Sequence, residues 1–483
     1  MKVHIINQAK TLSAQPGENL LKLLQRHGLI SDAPCGGKGT CGKCKVTVNG
    51  QEVLACKRAV DTDLEVVLPE TKKTEILTGG VAVTTSPDGQ DDAVLAFDVG
   101  TTTVVAYLLD GHTGKLLAQS SCVNPQTRFG ADVISRIQYA MNEDANEVSR
   151  VLKVALAALT MDVAEKGGIH PRKLTKVCLV GNTAMHHLLL GIDPKSLTTP
   201  PYMPKVSQAL EMKADFLPIN PGAVLRVLPN IAGFVGADTV GCLVATRFDK
   251  LEDLTLMIDI GTNGEMVLGN KDGFLACSTA AGPAFEGAKI ECGMRGAEGA
   301  IDHVWLEEEE LRFSVIGGGE ATGLCGSGLL DLVAALLTRE DIDESGRMDK
   351  KTFQLEDTRV YLTQKDVREV QLAKAAIRAG IELMCKKRGV RPEKIQKVYL
   401  AGAFGNYLDP ASACAIGMIP PCLQEKIQPI GNAAGEGAKL CALSTREFEY
   451  SKLLAEKAEF LELASMKEFN DCYVDCLLFE EDE

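Results

Sequence analysis

Four cysteines near the beginning of the chain have a spacing that suits an iron–sulfur cluster. They follow the pattern C-x5-C-x2-C-x11-C in a glycine-rich segment and are Cys35, Cys41, Cys44 and Cys56. Four thiolates gathered by one loop are the ligands of a [2Fe-2S] cluster, and glycines let the backbone curl around it. Structural zinc and unliganded thiols are the alternatives, but zinc usually takes two short C-x2-4-C pairs, and only Cys41 and Cys44 form one. The spacing predicts a [2Fe-2S] cluster.

Two turns of similar sequence predict a nucleotide site. Asp98 begins the string Asp-Val-Gly-Thr-Thr-Thr, and Asp259 begins Asp-Ile-Gly-Thr-Asn-Gly-Glu. The backbone N–H groups and hydroxyls of such a turn can bind an anion, and its carboxylate can hold Mg²⁺ through water. One such turn is weak evidence because it is also an ordinary turn. Two of them, each near the start of one half of a duplicated chain, favour a nucleotide held between two lobes.

The candidate residues of this site fall into three groups. Asp98 and Asp259 are the predicted catalytic, metal-holding carboxylates. The residues predicted to contact phosphate are Gly100, Thr101, Thr102, Thr103, Gly261, Thr262, Asn263 and Gly264. A predicted adenosine contact follows a later apolar strand and comprises Gly402, Ala403, Phe404 and Gly405, with Gly317 and Gly318 as a second candidate. Glu286 and Arg295 lie in glycine-rich loops, where they would contact phosphate or a partner, or form a salt link that fixes the loop.

The first 70 residues predict a small β-grasp ferredoxin domain that presents the cysteines. Val3 and Ile5 alternate with polar residues as in a half-buried strand. Asn49 and Gly50 are a strong hairpin signal between residues 45–48 and 51–55, which places Cys56 at the end of that hairpin. Residues 71–92 are rich in Thr, Gly, Pro and Asp and are interpreted as a flexible linker.

An internal repeat organises the rest of the chain. Residues 168–181 align without gaps to residues 389–402, and the two Asp-x-Gly-Thr turns repeat at a similar offset. Each half reads as a strand meander, helices and a strand–turn–helix unit. We therefore expect an α/β fold with an α+β N-terminal domain, in which residues 93–250 and 251–483 form the two lobes of an actin-like ATPase. Residues 198–229, with six prolines, are expected to be an irregular crossing from one lobe to the next.

Composition narrows the class of protein. Over 483 residues, 51 basic and 65 acidic side chains give a net charge of −14, which disfavours nucleic acid and anionic membranes as partners. The first residues lack the apolar core of a signal peptide, so we expect a cytoplasmic protein. Most of the 16 cysteines are then reduced core thiols, and Cys472 and Cys476 are too few for a further cluster.

Several strings resemble those of the ATP-dependent reductive activators of corrinoid proteins, within the superfamily of actin, sugar kinases and heat-shock chaperone ATPases. The resemblance covers nearly the whole chain. Besides the string at Asp259, it is carried by Gly-Asn-Thr-Ala-Met-His-His from Gly181, Ala-Gly-Pro-Ala-Phe-Glu-Gly from Ala281, Cys-Gly-Ser-Gly-Leu from Cys325 and Ala-Gly-Ala-Phe-Gly-Asn-Tyr-Leu from Ala401. His186 and His187 in the first of these are interpreted as helix residues rather than cobalt ligands.

The resemblance implies a specific activity. Such activators join a [2Fe-2S] domain, a linker and an ATPase, and return cob(II)alamin to cob(I)alamin so that a methyltransferase system can resume turnover. It implies ATP and Mg²⁺, a corrinoid protein and a low-potential electron donor as partners, and leaves a homodimer open. Two other functions stay open at this point: a small-molecule kinase with a regulatory cluster, and an activator of another low-potential enzyme such as a 2-hydroxyacyl-CoA dehydratase.

Overall fold

The structure is a computed structural model that describes residues 1–27, 29, 37, 39, 42, 44–69, 85–463 and 465–479. Cys35 and Cys41 therefore lie outside the described residues, as does most of the predicted linker. Ala403 lies in a helix, but its side chain is not described.

The N-terminal unit is a mixed five-stranded sheet with one helix against it. The strand order is β2-β1-β7-β4-β5, in which β1 and β7 are parallel and the other neighbours antiparallel. Asn49 and Gly50 form the tight turn between β4 and β5, as the hairpin signal predicts. The elements are β1 (Lys2–Ile5), β2 (Lys10–Ser13), β3 (Glu18–Asn19), α1 (Leu20–Arg26), β4 (Lys45–Val48), β5 (Gln51–Leu54), β6 (Ala59–Val60) and β7 (Leu64–Val67).

The first lobe is built on a six-stranded sheet of order β10-β9-β8-β11-β13-β12. Strands β8 to β10 form an antiparallel meander, and β11 joins β8 in parallel. The elements are β8 (Ala93–Val99), β9 (Thr103–Asp110), β10 (Leu116–Val123), α2 (Val133–Tyr139), α3 (Ala145–Lys166), β11 (Leu174–Gly181), α4 (Thr183–Leu190), β12 (Leu210–Lys213), β13 (Val224–Val227) and α5 (Ala237–Thr246). The expected irregular crossing at residues 198–229 is wrong in part, because it contains β12 and β13, which extend this sheet.

The second lobe repeats the same plan. Its sheet has the order β23-β22-β14-β15-β16-β24, with an antiparallel meander β14 to β16 and a parallel neighbour β22. The strands of this part are β14 (Thr255–Ile260), β15 (Gly264–Asn270), β16 (Gly273–Thr279), β17 (Ala300–Glu307), β18 (Glu310–Val315), β19 (Gly323–Leu324), β20 (Thr352–Gln354), β21 (Tyr361–Thr363), β22 (Lys397–Ala401), β23 (Ile427–Gly431) and β24 (Ala458–Phe460). The helices are α6 (Gly326–Thr338), α7 (Gln364–Arg388), α8 (Gly402–Tyr407), α9 (Pro410–Ala415), α10 (Ala433–Leu443), α11 (Thr445–Lys457) and α12 (Lys467–Asp475).

Helices α10 and α11 join the lobes. Although they come late in the chain, α10 packs mainly on α5 and on strands β8 and β11 of the first lobe, and α11 packs on α10 and α5. One hydrophobic core accordingly contains Tyr107 and Val240 of the first lobe, Met257 of the second, and Leu440 of α10. The cleft between the lobes is thus closed at its base by shared packing.

The described end of the predicted linker is anchored to this shared region. Thr85 donates a hydrogen bond to Glu447 at 3.0 Å, and the Asp88 N–H donates to the Leu443 carbonyl at 2.9 Å. The Asp88 carboxylate accepts from the Thr445 hydroxyl at 2.7 Å and lies 3.2 Å from the ammonium of Lys176. Residues 85–92 therefore do not match the flexible character expected of the whole segment, because their polar side chains find partners far away in the sequence.

No helix within the described residues is long and apolar enough to cross a membrane.

Candidate functional site

The two Asp-x-Gly-Thr turns face a common cavity of about 320 Å³ between the lobes. Each turn joins the first two strands of its meander, and the two have the same local hydrogen bond. The Gly100 N–H donates to the Thr103 carbonyl, and the Gly261 N–H donates to the Asn263 carbonyl, both at 2.9 Å. Such turns leave the following N–H groups and hydroxyls available to an anion.

Most of the predicted site residues line this cavity. The predicted residues that do so are Asp98, Gly100, Thr101, Thr102, Thr103, Asp259, Gly261, Thr262, Asn263, Gly402 and Phe404. Gly264, Gly317, Gly318 and Gly405 are not among the lining residues, although Ile316, next to Gly317, is. The described lining also contains Asp238, Glu265, Glu286 and Asn432, of which only Glu286 was a candidate from the sequence.

Gly402 shows why a glycine follows the last strand of the second repeat. Its φ is +83°, a conformation that favours glycine, and an added Cβ would lie 2.5 Å from Asp259 Oδ1. Any side chain at this position would push the carboxylate of Asp259 out of place. The start of helix α8 can therefore approach the second phosphate turn only because residue 402 is glycine.

Four carboxyl groups lie deep in the cleft and carry raised pKa values. Burial raises the pKa of Asp98 to about 6, and burial together with the charge of Asp98 raises that of Asp259 to about 6. Burial and the charge of Asp259 raise the pKa of Asp238 to about 7. Burial and the charge of Asp238 raise the pKa of Glu265 well above its usual range. All four side chains keep some exposed surface and line the cavity, so a cation can reach them.

This acidic floor fits Mg²⁺. The charges that act most strongly on Asp238, Asp259 and Glu265 are those of other carboxylates, so a cation would relieve their repulsion. Carboxylate oxygens, partly through water, are the ligands that Mg²⁺ takes beside a nucleotide. Asp98 and Asp259, one from each lobe, are the residues that would hold it.

Asn432 fixes the orientation of Asp98. Its side-chain amide donates to Asp98 Oδ2 at 2.7 Å and to the Tyr107 hydroxyl at 3.1 Å, while its Oδ1 accepts from the Gly435 N–H at 2.8 Å. It is therefore the N-cap of α10 and also a contact of the first phosphate turn. The sequence around Asn432 carries no signal that links it to Asp98, which lies 334 positions earlier.

The apolar end of the cavity contains stacked aromatic rings. The rings of Phe285 and Phe404 lie 4.8 Å apart with an interplanar angle of 9°. Gly326 permits this packing, because an added Cβ would lie 2.1 Å from the Phe285 carbonyl and 2.9 Å from the Phe404 ring. Tyr407, 46% exposed, also lines the cavity here. These residues offer apolar surface of the kind that a nucleobase needs, and the adenosine contact stays a prediction.

The two neighbouring histidines have structural partners. His187 Nδ1 contacts the Thr183 carbonyl at 2.7 Å, and its Nε2 accepts from the Lys205 N–H at 3.1 Å. His186 Nδ1 pairs with the Asn230 amide, and burial lowers the pKa of His186 to about 4. Both side chains are buried in helix α4 outside the cavity lining, which agrees with the interpretation as helix residues.

Two of the four predicted cluster ligands, Cys44 and Cys56, are among the described residues. Cys44 and Cys56 lie at the base of the β4–β5 hairpin, where the Ala55 N–H donates to the Cys44 carbonyl at 2.8 Å. Gly37, Gly39 and Gly42 all have positive φ, and a Cβ on Gly39 would lie 2.3 Å from Lys57 Cε. At Gly39 the chain thus comes close to Lys57, which follows Cys56. Cys35 and Cys41 lie outside the described residues, so the set of four ligands stays a prediction.

Cys472 and Cys476 lie one helical turn apart on α12. Burial is the main cause that raises the pKa of both thiols, which disfavours thiolate ligands. Neither thiol belongs to a group of three or more potential metal ligands among the residues that the structure describes. These two cysteines stay without an assigned role.

Three family profiles match the chain in order. They are described as the 2Fe-2S iron–sulfur cluster binding domain at residues 3–71, the RACo middle region at residues 93–251, and the C-terminal domain of RACo, the ASKHA domain, at residues 253–483. The predicted α/β fold with its ferredoxin domain and actin-like ATPase is confirmed, as are the [2Fe-2S] cluster and ATP as the cofactors that these domains take.

Similar proteins carry related names. Corrinoid activation enzyme RamQ of Eubacterium limosum is 32% identical over 557 aligned positions, covering 92% of this chain and 94% of that protein. The [Co(II) methylated amine-specific corrinoid protein] reductase of Methanosarcina barkeri is 29% identical over 272 positions, 51% of this chain and 50% of that protein. A solved structure titled "Reductive activator for corrinoid,iron-sulfur protein" matches with a TM-score of 0.73 and 28% identity, over 99% of this chain and 98% of that one. Because the similarity to RamQ runs almost end to end, the chain belongs to the RACo family of corrinoid activators.

Proposed function

We propose that this protein is an ATP-dependent reductive activator, which returns the cob(II)alamin of a corrinoid protein to cob(I)alamin by transfer of one electron. The observation that carries this proposal is the union, on one chain, of a [2Fe-2S] domain with a two-lobed nucleotide cleft, in an order shared end to end with a corrinoid activation enzyme. A kinase or a dehydratase activator would not account for that end-to-end similarity.

The energetic reason for joining the two domains is the low potential of cobalt. If the Co(II)/Co(I) couple lies below its donor, each 100 mV of gap costs about 2.3 kcal/mol for one electron. A nucleotide can offset this cost only by favouring a conformation that treats the two cobalt states differently. A cleft whose two lobes share one packed base is suited to such a change, because closure around a nucleotide moves both lobes together.

Each part of the chain has a proposed task. Cys35, Cys41, Cys44 and Cys56 hold the cluster, which supplies one-electron carrier chemistry when bound. Asp98 and Asp259 hold Mg²⁺, and the backbone N–H groups of the two turns, with the hydroxyls of Thr101 and Thr103, bind the phosphates of ATP. Phe404 and its neighbours contact the adenosine. Residues 70–84 let the ferredoxin domain reach the partner. The anchored residues 85–92 fix the point on the ATPase from which this connection starts.

The partners and the setting follow from the same chemistry. A low-potential electron donor must reduce the chain before each transfer, and a methyltransferase system in the cytoplasm uses the restored cob(I)alamin. A homodimer is compatible with this scheme but is not required by it.

The test is reconstitution of the whole reaction. Reductant, this protein, Mg-ATP and a cob(II)alamin-loaded corrinoid protein together should remove the Co(II) EPR signal and yield the absorption of cob(I)alamin. Omission of any one component should stop the reaction. If reduction proceeds equally without ATP, or if the protein instead phosphorylates sugars or small acids, the proposed function is wrong.

A further inference from the structure

Glu286 joins the two phosphate turns. Its carboxylate accepts a hydrogen bond from the Thr102 hydroxyl at 2.8 Å and another from the Thr262 hydroxyl at 3.0 Å. Thr102 belongs to the turn of the first lobe and Thr262 to the turn of the second. A group that contacts both turns must lie between them. In a nucleotide held by both turns, this place is next to the outermost phosphate.

The backbone around Glu286 fixes this position. Glu286 ends a short 3-10 turn in which its N–H donates to the Pro283 carbonyl at 3.1 Å. Gly287 follows with φ +74°, and an added Cβ there would lie 2.5 Å from the Met294 carbonyl oxygen. The Met294 N–H in turn donates to the Leu324 carbonyl at 2.8 Å. Packing of the loop, rather than the freedom of a surface side chain, therefore sets the place of the carboxylate.

Glu286 belongs to a different part of the cleft from the acidic floor. The charge of Asp98 acts on Asp259, and the charges of both act on Asp238. The charge of Glu286 acts instead on Arg136. Burial lowers the pKa of Arg136, and the charge of Glu286 counteracts this lowering more than the charge of Asp132 does. The cleft thus has one set of carboxylates suited to a cation and one separate carboxylate beside the hydroxyls of both turns.

Arg136 supplies positive charge behind the first turn. Its side chain is completely buried, with Nε donating to the Gly130 carbonyl at 2.9 Å and Nη1 contacting Met185 Sδ at 3.6 Å. Met185 also contacts Asn124, whose amide donates to the Gly100 carbonyl at 2.8 Å. Nη2 has no hydrogen-bond partner among the described residues.

We propose that Glu286 is a catalytic residue of ATP hydrolysis, which orients the attacking water and accepts its proton. This inference rests on the proposed function and assigns a role within the same cleft. In the step, the water oxygen forms a bond to the terminal phosphorus as the bond from that phosphorus to the bridging oxygen breaks. The products are ADP and phosphate, and the proton held by Glu286 passes to the released phosphate or to solvent. A carboxylate beside the outermost phosphate meets the geometric need of in-line attack.

The test compares Glu286→Gln with Glu291→Gln. Glu291 lies in the same loop but is exposed and outside the cavity lining, so it is a matched control. Glutamine keeps the size of the side chain and can still accept from a hydroxyl, but it cannot take a proton at neutral pH. We expect Glu286→Gln to lower the rate constant of hydrolysis by on the order of 10²-fold or more. The Kd of a non-hydrolysable ATP analogue should stay equal or fall, because a negative charge beside the phosphates is removed. Glu291→Gln should match the original protein in both measurements.

Two results would overturn the assignment. Hydrolysis within about threefold of the original rate would show that no proton passes to Glu286, since general-base catalysis contributes far more than this. If Glu286→Gln loses both analogue binding and hydrolysis to a large extent, the side chain has a structural role in which it holds the two turns together. Hydrolysis is also measured without the corrinoid partner. A protein that hydrolyses ATP but does not reduce cobalt would then count against the proposed function alone.

Discussion

At the scale of single residues, the cleft separates carboxyl groups by environment. Asp98, Asp238, Asp259 and Glu265 lie deep and have raised pKa values, whereas Glu286 is held by two hydroxyls at the meeting point of the lobes. Chemically similar side chains are thereby suited to different tasks, because desolvation and neighbouring charges differ over a few ångströms.

The raised pKa values predict that Mg²⁺ stabilises the protein more at high pH. A carboxyl group whose folded-state pKa is raised contributes stability below its unfolded pKa, and that contribution is lost as pH rises through the folded-state value. For Asp98 and Asp259 this loss spans pH 4 to about 6, and for Asp238 it extends to about 7. Thermal unfolding at pH 5 and pH 8, with and without Mg²⁺, should show a larger rise in Tm from Mg²⁺ at pH 8.

Asp238→Asn is the variant that checks this explanation. Loss of one floor carboxyl should raise the Tm measured without Mg²⁺ at pH 8 and leave the value at pH 5 nearly unchanged. Asp253→Asn is the control, since Asp253 forms an ion pair with Lys397 near the surface. An equal effect of Mg²⁺ at both pH values would contradict the cation site.

The cysteine loop leads to a second prediction at this scale. The protein, purified without oxygen, should contain the two irons and two acid-labile sulfides of a [2Fe-2S] cluster. Cys44→Ala should abolish the EPR signal of the reduced cluster, because one of four ligands is removed. Cys422→Ser, which changes an exposed thiol of the second half, should leave iron content and signal intact. Stoichiometric zinc without sulfide would refute the cluster.

At the scale of elements, the site depends on close approach between a strand end and a helix start. Helix α8 begins at Gly402 against Asp259, and helix α10 begins after Asn432 against Asp98. The same relation thus occurs in both lobes: an element that comes later in the chain holds the carboxylate of a phosphate turn.

Gly402→Ala should therefore impair nucleotide binding. The methyl group would meet Asp259 Oδ1 at 2.5 Å and the backbone would be strained at φ +83°, so we expect a loss of about 1–3 kcal/mol in stability together with weaker binding of Mg-ATP. Titration with a fluorescent nucleotide and thermal unfolding measure the two effects.

Gly389→Ala is a control that introduces backbone strain without a steric contact. Gly389 has φ +71° at the end of α7, and an added Cβ would meet no atom within 4 Å. This control should lose about 1 kcal/mol of stability and keep its nucleotide affinity. If both variants bind nucleotide like the original protein, the close approach at residue 402 does not matter for the site.

At the scale of the whole molecule, the ferredoxin domain is joined to a fixed point on the ATPase. Thr85 and Asp88 bind side chains of α11 and the end of α10, which are the helices that link the lobes. The described end of the predicted linker, residues 85–92, is thus anchored, and the flexible connection stays a prediction for residues 70–84, which lie outside the described residues. Fifteen residues, if extended, would span at most about 50 Å.

Removal of about half of residues 70–84 should slow corrinoid reduction while ATP hydrolysis and cluster content stay normal. The reason is that a shorter connection limits where the ferredoxin domain can dock, whereas neither active part is altered. The rate of cob(I)alamin formation per ATP hydrolysed is the measurement. A Gly/Ser segment of the original length is the control and should restore the rate. Equal rates with the shortened connection would show that reach is not limiting.

The sequence by itself determined the features that are written in neighbouring residues. These include the turn at Asn49 and Gly50, the paired phosphate turns, and the repeat of residues 168–181 at 389–402. The paired turns also predicted the fold of the second half, because duplicated sequences form the same antiparallel meander with the same parallel neighbouring strand. Local spacing suffices in these cases because the interactions are local.

Only the tertiary structure decided which distant residues complete the cleft. Asn432 contacts Asp98 across 334 positions, and Thr102 and Glu286 meet across 184. Asp238 reaches the floor because α5 begins there, and the expected irregular segment yields β12 and β13 because β11 offers β13 an edge to pair with. Such contacts form only when sheets and helices pack against each other. The residues next to a position in the sequence therefore do not indicate which distant residue it will contact.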